Sequence, residues 1–248
     1  MQSRRKVLTA VAVVSSLLSA VVIAVPALAS NRRSAVGTLR SANATSTQDA
    51  AWRFTQKGAT SVTAEFKAPS VKCTPSATGV EPGVAMGTGT PQHAKVNTSG
   101  VEYICIKGKL HTLASVEVDG ASQNVSKNVV PGDVIRATVT TSAKTTTATI
   151  ADTTTGHTFT LTKSGTGGTS FAEDVWDDSL YFGTTQDGVA DFGSISFSAA
   201  AVGGVALGSV SPAGTAYNWV SSTNAIKVLT GALTGTTKNA FTTTWKHS

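Results

Sequence analysis

The chain has 248 residues, enough for one large or two small domains, and a formal charge of +6, yet charged side chains make up only 14% of it against about 25% in an ordinary domain. Thr, Ser, Gly, Val and Ala dominate, and no long run of Glu, Lys, Leu and Arg at helical spacing occurs, which excludes a helical bundle and favours short strands and turns. No basic stripe with interleaved aromatics is present, so a nucleic-acid platform is excluded as well.

Arg4, Arg5 and Lys6 precede an apolar run from Val7 to Val25, and Ala27-Leu28-Ala29 follows, the small-x-small pattern that a signal peptidase cleaves. Residues 1–29 therefore predict an export signal and a secreted, extracellular product. As a membrane anchor the run is barely long enough, and Pro26 beside the Ala-x-Ala site fits removal better, so no stable membrane span is expected afterwards. Ser3-Arg4-Arg5-Lys6 also approaches a twin-arginine start, and the general and twin-arginine routes both stay open. Cleavage leaves 17 basic against 14 acidic side chains, a formal charge of +3.

Residues 30–50 are small and polar without a period of 2 or 3.6 and read as a flexible lead-in; residues 51–248 read as one folded domain starting near Trp52. From Thr60 the chain alternates, with Val62, Ala64 and Phe66 on one side, until Pro69. The stretch from Cys73 to Gly100 is rich in Gly and Pro and predicts one strand, around Val84 to Met86, between long loops. Val101 to Ile106 and Leu113 to Val118 follow as neighbouring strands. Pro131-Gly132-Asp133 turns the chain into Val134 to Thr140, and Thr145 to Ile150 and His157 to Thr162 continue an antiparallel meander. Beyond an acidic segment, Asp191 to Phe197, Ala216 to Val220, Ile226 to Leu229 and Phe241 to Trp245 complete about a dozen strands, the pattern of an all-β sandwich of two antiparallel sheets.

The acidic segment holds Glu173, Asp174, Asp177 and Asp178. Scarce carboxylates gathered in one place suit a solvated strand edge, where charge blocks unwanted pairing, an oxygen-rich calcium loop, or a catalytic site. The spacing has no EF-hand pattern, which weighs against calcium. Cys73 and Cys105, the only cysteines, predict a disulfide in an exported chain. His93, His111, His157 and His247 are scattered without ligand spacing, so neither metal nor other cofactor is expected.

Taken together the order of motifs resembles the glutamic peptidases, or eqolisins, particularly their secreted bacterial members. The pieces are Ser61-Val62-Thr63-Ala64 leading to Pro69-Ser70-Val71-Lys72-Cys73, Val101-Glu102, Ser115-Val116-Glu117, Pro131-Gly132-Asp133, Asp152-Thr153-Thr154-Thr155-Gly156, Ala172-Glu173, Asp191-Phe192-Gly193 and Phe241-Thr242-Thr243-Thr244-Trp245. They span the chain from about Trp52 to Trp245. The resemblance implies a concanavalin A-like, jelly-roll sandwich whose concave sheet carries a Glu and a Gln. The carboxylate acts as general base on water, and the amide orients that water and stabilises the oxyanion.

Carried over by position, the glutamate falls on Glu173, followed by Asp174 where the family tends to have Trp. The amide position after Val101-Glu102 holds Tyr103, and a phenol lacks the amide's paired donor and acceptor. Gln92 and Gln123 are the nearest other amides. A second acid is kept at Glu117, but without the family's neighbouring Trp and Tyr, and a Trp-Val-Gly-Leu-Asp-type strand reads Ala85-Met86-Gly87-Thr88-Gly89. The expectation is a monomer with an eroded site formed by Glu173, Tyr103 and Glu117, binding a polypeptide or glycan on the concave sheet. Three alternatives stand beside it: an acid-active endopeptidase with Glu173 as base, a glycosidase-like Glu117 and Glu173 pair, and a purely structural role at the cell surface. The glycosidase reading is the weaker, because the motif order follows the peptidases.

Overall fold

The computed structural model describes residues 43–74, 77–90, 93–125, 129–168, 170–178 and 188–247, and the expected signal segment lies outside them. Among the described residues the elements are seventeen strands and a 3-10 turn at Leu207–Ser209. One sheet contains β1 (Ala44–Ser46), β15 (Thr215–Val220), β2 (Asp49–Phe54), β11 (Ser170–Asp178), β4 (Ala77–Thr90), β5 (His93–Ile106), β6 (Lys109–Val118) and β7 (Ala121–Val125), paired in that order. The short β12 (Gly188–Val189) runs parallel to the start of β4. A second sheet is β10 (His157–Ser164), β9 (Thr145–Asp152), β8 (Val134–Thr141), β3 (Ser61–Lys67), β13 (Ser194–Val202) and β17 (Phe241–Trp245), with β14 (Val205–Ala206) folded back on β13. Between the sheets, β16 (Ile226–Thr230) pairs with both β15 and β17.

Alternation decides which side chains are inside. Val62, Ala64 and Phe66 of β3, Ile135, Ala137 and Val139 of β8, and Ala148 and Ile150 of β9 are buried while their chain neighbours face out. They meet Val84 and Met86 of β4, Val101 and Tyr103 of β5, and Val175 of β11 in one core. Through it Phe197 stacks on Phe241 at a centroid separation of 4.7 Å and meets Phe66 in a tilted pair at 5.7 Å. Ser99 faces the same interior, and its hydroxyl donates to the Thr149 carbonyl of the opposite sheet at 2.7 Å.

Three expectations change. The sheet begins at Ala44, inside the segment read as a lead-in, because β1 lies parallel to β15 and the Asn43 amide donates to the Asn218 side chain and the Thr230 carbonyl. The Gly-rich stretch is not one strand between loops but most of two strands of 14 residues each, β4 and β5. Its glycines mark close backbone approach rather than turns: a Cβ on Gly83 would lie 2.4 Å from the Ser99 carbonyl oxygen, and one on Gly100 would lie 2.8 Å from that of Pro82. The acidic segment is not a strand edge either, since β11 is central, hydrogen-bonded to β2 on one side and β4 on the other. The Cys73–Cys105 disulfide forms as expected and ties the loop after β3 to the end of β5.

Candidate binding face

The face of the first sheet turned away from the core is built by the residues that alternate with the core set. Along one row of register partners it presents Thr215, Arg53, Asp174, Ala85, Thr98, Glu117 and Ser122. Along the next it presents Tyr217, Ala51, Trp176, Gly83, Gly100, Ser115 and Asn124. On this side Ala51, Ala85 and Trp176 form a small apolar cluster separate from the core, each at 5% exposure or less. The middle of the face is built of the small residues Gly83, Ala85, Thr98 and Gly100, with the Glu81 side chain packed over Gly100 and further charged side chains on both flanks.

On the β2 flank, Arg53 Nε donates to Asp174 Oδ1 at 3.0 Å and Arg53 Nη2 to Asp49 Oδ2 at 2.8 Å, while the guanidinium stacks 4.7 Å from the Tyr217 ring centroid. Burial pushes the Asp174 carboxyl up to about 7; Arg53 works against that shift, and the Asp49 charge adds to it. Burial lowers the Arg53 pKa, but Asp174 and Asp49 outweigh it and hold the guanidinium above its ordinary value. On the β6 flank, Glu102 and Glu117 stand either side of the Gly100 and Ser115 pair. Burial raises the Glu102 pKa against a hydrogen bond from Ser115, and burial together with the Glu102 charge raises that of Glu117. The Ser115 hydroxyl lies 3.1 Å from Asn124 Oδ1.

The residues singled out in the sequence are divided between the two faces. Glu117 is on the outer face, but Glu173 and Tyr103 are on the inner one, at 0% and 2% exposure. Glu173 is the register partner of Phe54 and Met86, both core residues. Its Oε2 accepts from the Gln56 backbone N–H at 3.1 Å, Oε1 is buried without a partner, and burial raises its pKa despite the hydrogen bonds from Ser170 and Gln56. Gln123 is exposed on the edge strand β7, and Gln92 lies outside the described residues. The carboxylate that the outer face does present at this point is Asp174, which the sequence offers as part of the acidic cluster and as the residue following Glu173 where the family tends to have Trp. The side chains of Asp177 and Asp178 are not among those described. Among the described residues, no helix is long and apolar enough to cross a membrane.

A model of the Peptidase A4 family matches residues 47–245. The chain belongs to the Peptidase A4 family. The structure of this family member resembles that of scytalido-glutamic peptidase bound to a transition state analog inhibitor, at 14% identity and a TM-score of 0.63, covering 81% of this chain and 98% of that one. It also resembles SCP-B, an eqolisin in complex with the tripeptide Ala-Ile-His (14%, TM-score 0.59, covering 81% and 98%). Aspergilloglutamic peptidase from Aspergillus niger matches at 20% identity with a TM-score of 0.50, covering 68% of this chain and 99% of that one. No curated protein matches the sequence. At these identities the likeness establishes the β-sandwich of the A4 family member and nothing finer.

Proposed function

We propose that this member of the Peptidase A4 family is exported and binds an extended polypeptide across the outer face of its first sheet without hydrolysing it. The observation that carries the reading is the row through Asp174. From that carboxyl the next side chains across the sheet are Ala85, Thr98 and Glu117, so among the described residues of this row no amide stands beside the acid to orient water or receive an oxyanion. Glu173 and Tyr103 are closed off beneath the same sheet and have no contact with a ligand on it. The small residues Gly83, Ala85 and Thr98 favour a ligand that lies flat, while Arg53 and Asp174 on one flank and Glu81, Glu102 and Glu117 on the other supply polar contacts. The tripeptide and peptide-based inhibitors of the related structures are ligands of this chemical class. Export rests on the N-terminal segment and on the disulfide, which suits an oxidising compartment.

The test is binding of a fluorescent, denatured polypeptide to the chain lacking residues 1–29. Arg53→Ala and Glu117→Gln weaken binding several-fold, while the inner-face change Tyr103→Phe leaves it unchanged. Equal binding by all four proteins, or none by any, overturns the reading. The second reading, an acid-active endopeptidase, is favoured by one observation: Asp174 keeps a proton up to about pH 7 and is placed on the outer face. Release of peptides by the wild-type chain that ceases in Asp174→Asn would establish it.

A further inference from the structure

We propose that the tip of the β5–β6 hairpin is a docking element for an anionic lipid surface. The tip is residues 106–111, all exposed, with Ile106 at 46% and Leu110 at 38%. Lys107 and Lys109 sit between those two apolar side chains, and among the described residues neither lysine forms an ion pair. Register places Ile106 beside Lys109 and Leu110 beside Cys105, so one apolar residue emerges on each side of the hairpin. Two exposed apolar side chains at a hairpin tip, flanking two lysines, suit insertion at a headgroup boundary with the lysines among the phosphates.

The turn itself departs from local preference. Lys107 and Gly108 both have positive φ, 51° and 73°, a two-residue geometry in which Asn or Asp normally precedes Gly. The equivalent turn between β6 and β7 uses Asp119-Gly120, with φ of 50° and 71°. At the β5–β6 tip the favoured acidic or amide residue gives way to a cation, so the charge is present at a conformational cost. The Cys73–Cys105 bond braces the hairpin one residue before Ile106, and exposed Lys72 next to Cys73 adds a further cation, with Asp191 3.5 Å from its ammonium. A braced tip loses little freedom on docking. The partner is a bilayer rich in anionic headgroups, which an exported chain meets on leaving the cell membrane.

The experiment is co-sedimentation of the chain lacking residues 1–29 with phosphatidylglycerol vesicles and with phosphatidylcholine vesicles, at low and at physiological salt. Binding to the anionic vesicles only, weakened by salt, is expected. Each of Lys107→Ala and Lys109→Ala lowers the vesicle affinity roughly five-fold, and Ile106→Ser with Leu110→Ser lowers it at high salt too. These positions are exposed, so thermal melts of the variants match the wild type and a loss reads as docking rather than unfolding. Equal binding to both vesicle types, no binding, unchanged affinity in the variants, or capture by soluble polyphosphate with none by vesicles each overturns the proposal. None of these outcomes depends on whether the outer sheet face binds polypeptide.

Discussion

Glu173 and Asp174 are chain neighbours in opposite surroundings. Asp174 shares its charge with Arg53 on the outer face, whereas Glu173 is enclosed with one carboxyl oxygen satisfied by Gln56 and the other by nothing. A buried carboxyl without a cation keeps its proton more tightly, because the charged form pays for lost solvation. Glu173→Gln therefore keeps the Gln56 hydrogen bond and removes the ionisation penalty, so its stability at pH 7 equals or exceeds that of the wild type. Glu173→Ala leaves the Gln56 N–H without an acceptor and costs about 1–3 kcal/mol. Urea unfolding of the two variants checks both, and a Gln variant that is strongly destabilised would show that a charged Glu173 supports the fold. The motif Ala172-Glu173 lies on β11, where Glu173 faces the core and Asp174 the outer face. A β-bulge at the start of β11, where Ser170 pairs with Thr88 but Ala172 with Gly87, shifts the alternation by one residue, and nothing in the local sequence announces it.

At the scale of elements, β3, β8 and β9 were legible because each alternates between a core face and a largely polar face, and β17 because its aromatics flank a run of threonines. β4 and β5 were not, because glycines that permit close strand packing look in sequence like glycines that make turns. Gly83→Ala drives a methyl against the Ser99 carbonyl, forcing β4 and β5 apart at the floor of the outer face, and costs roughly 1–3 kcal/mol. Ser99→Ala, on the inner side of the same ladder, removes the bond to Thr149 and costs about 1 kcal/mol. Thermal or urea unfolding measures both. If Gly83→Ala is harmless, the packing explanation for this Gly-rich strand fails.

Across the whole molecule, four carboxyls of the first sheet, Glu102, Glu117, Glu173 and Asp174, have pKa values raised mainly by burial. Unfolded, such groups titrate near 3.9–4.3, at about their model-peptide values. Between that range and the folded values, which for Asp174 reach about 7, the native state binds more protons than the unfolded state. Stability therefore rises as pH falls from about 7 towards about 4, and this contribution levels off below the unfolded pKa. Asp152, held below its ordinary value by Thr155 and Thr154 despite some desolvation, acts oppositely, its contribution being lost only at more acid pH. Melting temperatures measured from pH 3 to 8 should be highest on the acid side; a maximum at pH 7 or above would contradict the burial of these groups.

Stability in acid belongs equally to a binding protein and to an acid peptidase, so only a search for cleavage separates them. The chain without its first 29 residues, incubated with denatured protein between about pH 2 and 5 beside Asp174→Asn and Glu173→Gln, should leave the substrate intact by mass spectrometry while still binding it. New peptide termini produced by the wild-type chain and absent with either variant would contradict the account and make this sheet a working hydrolytic site.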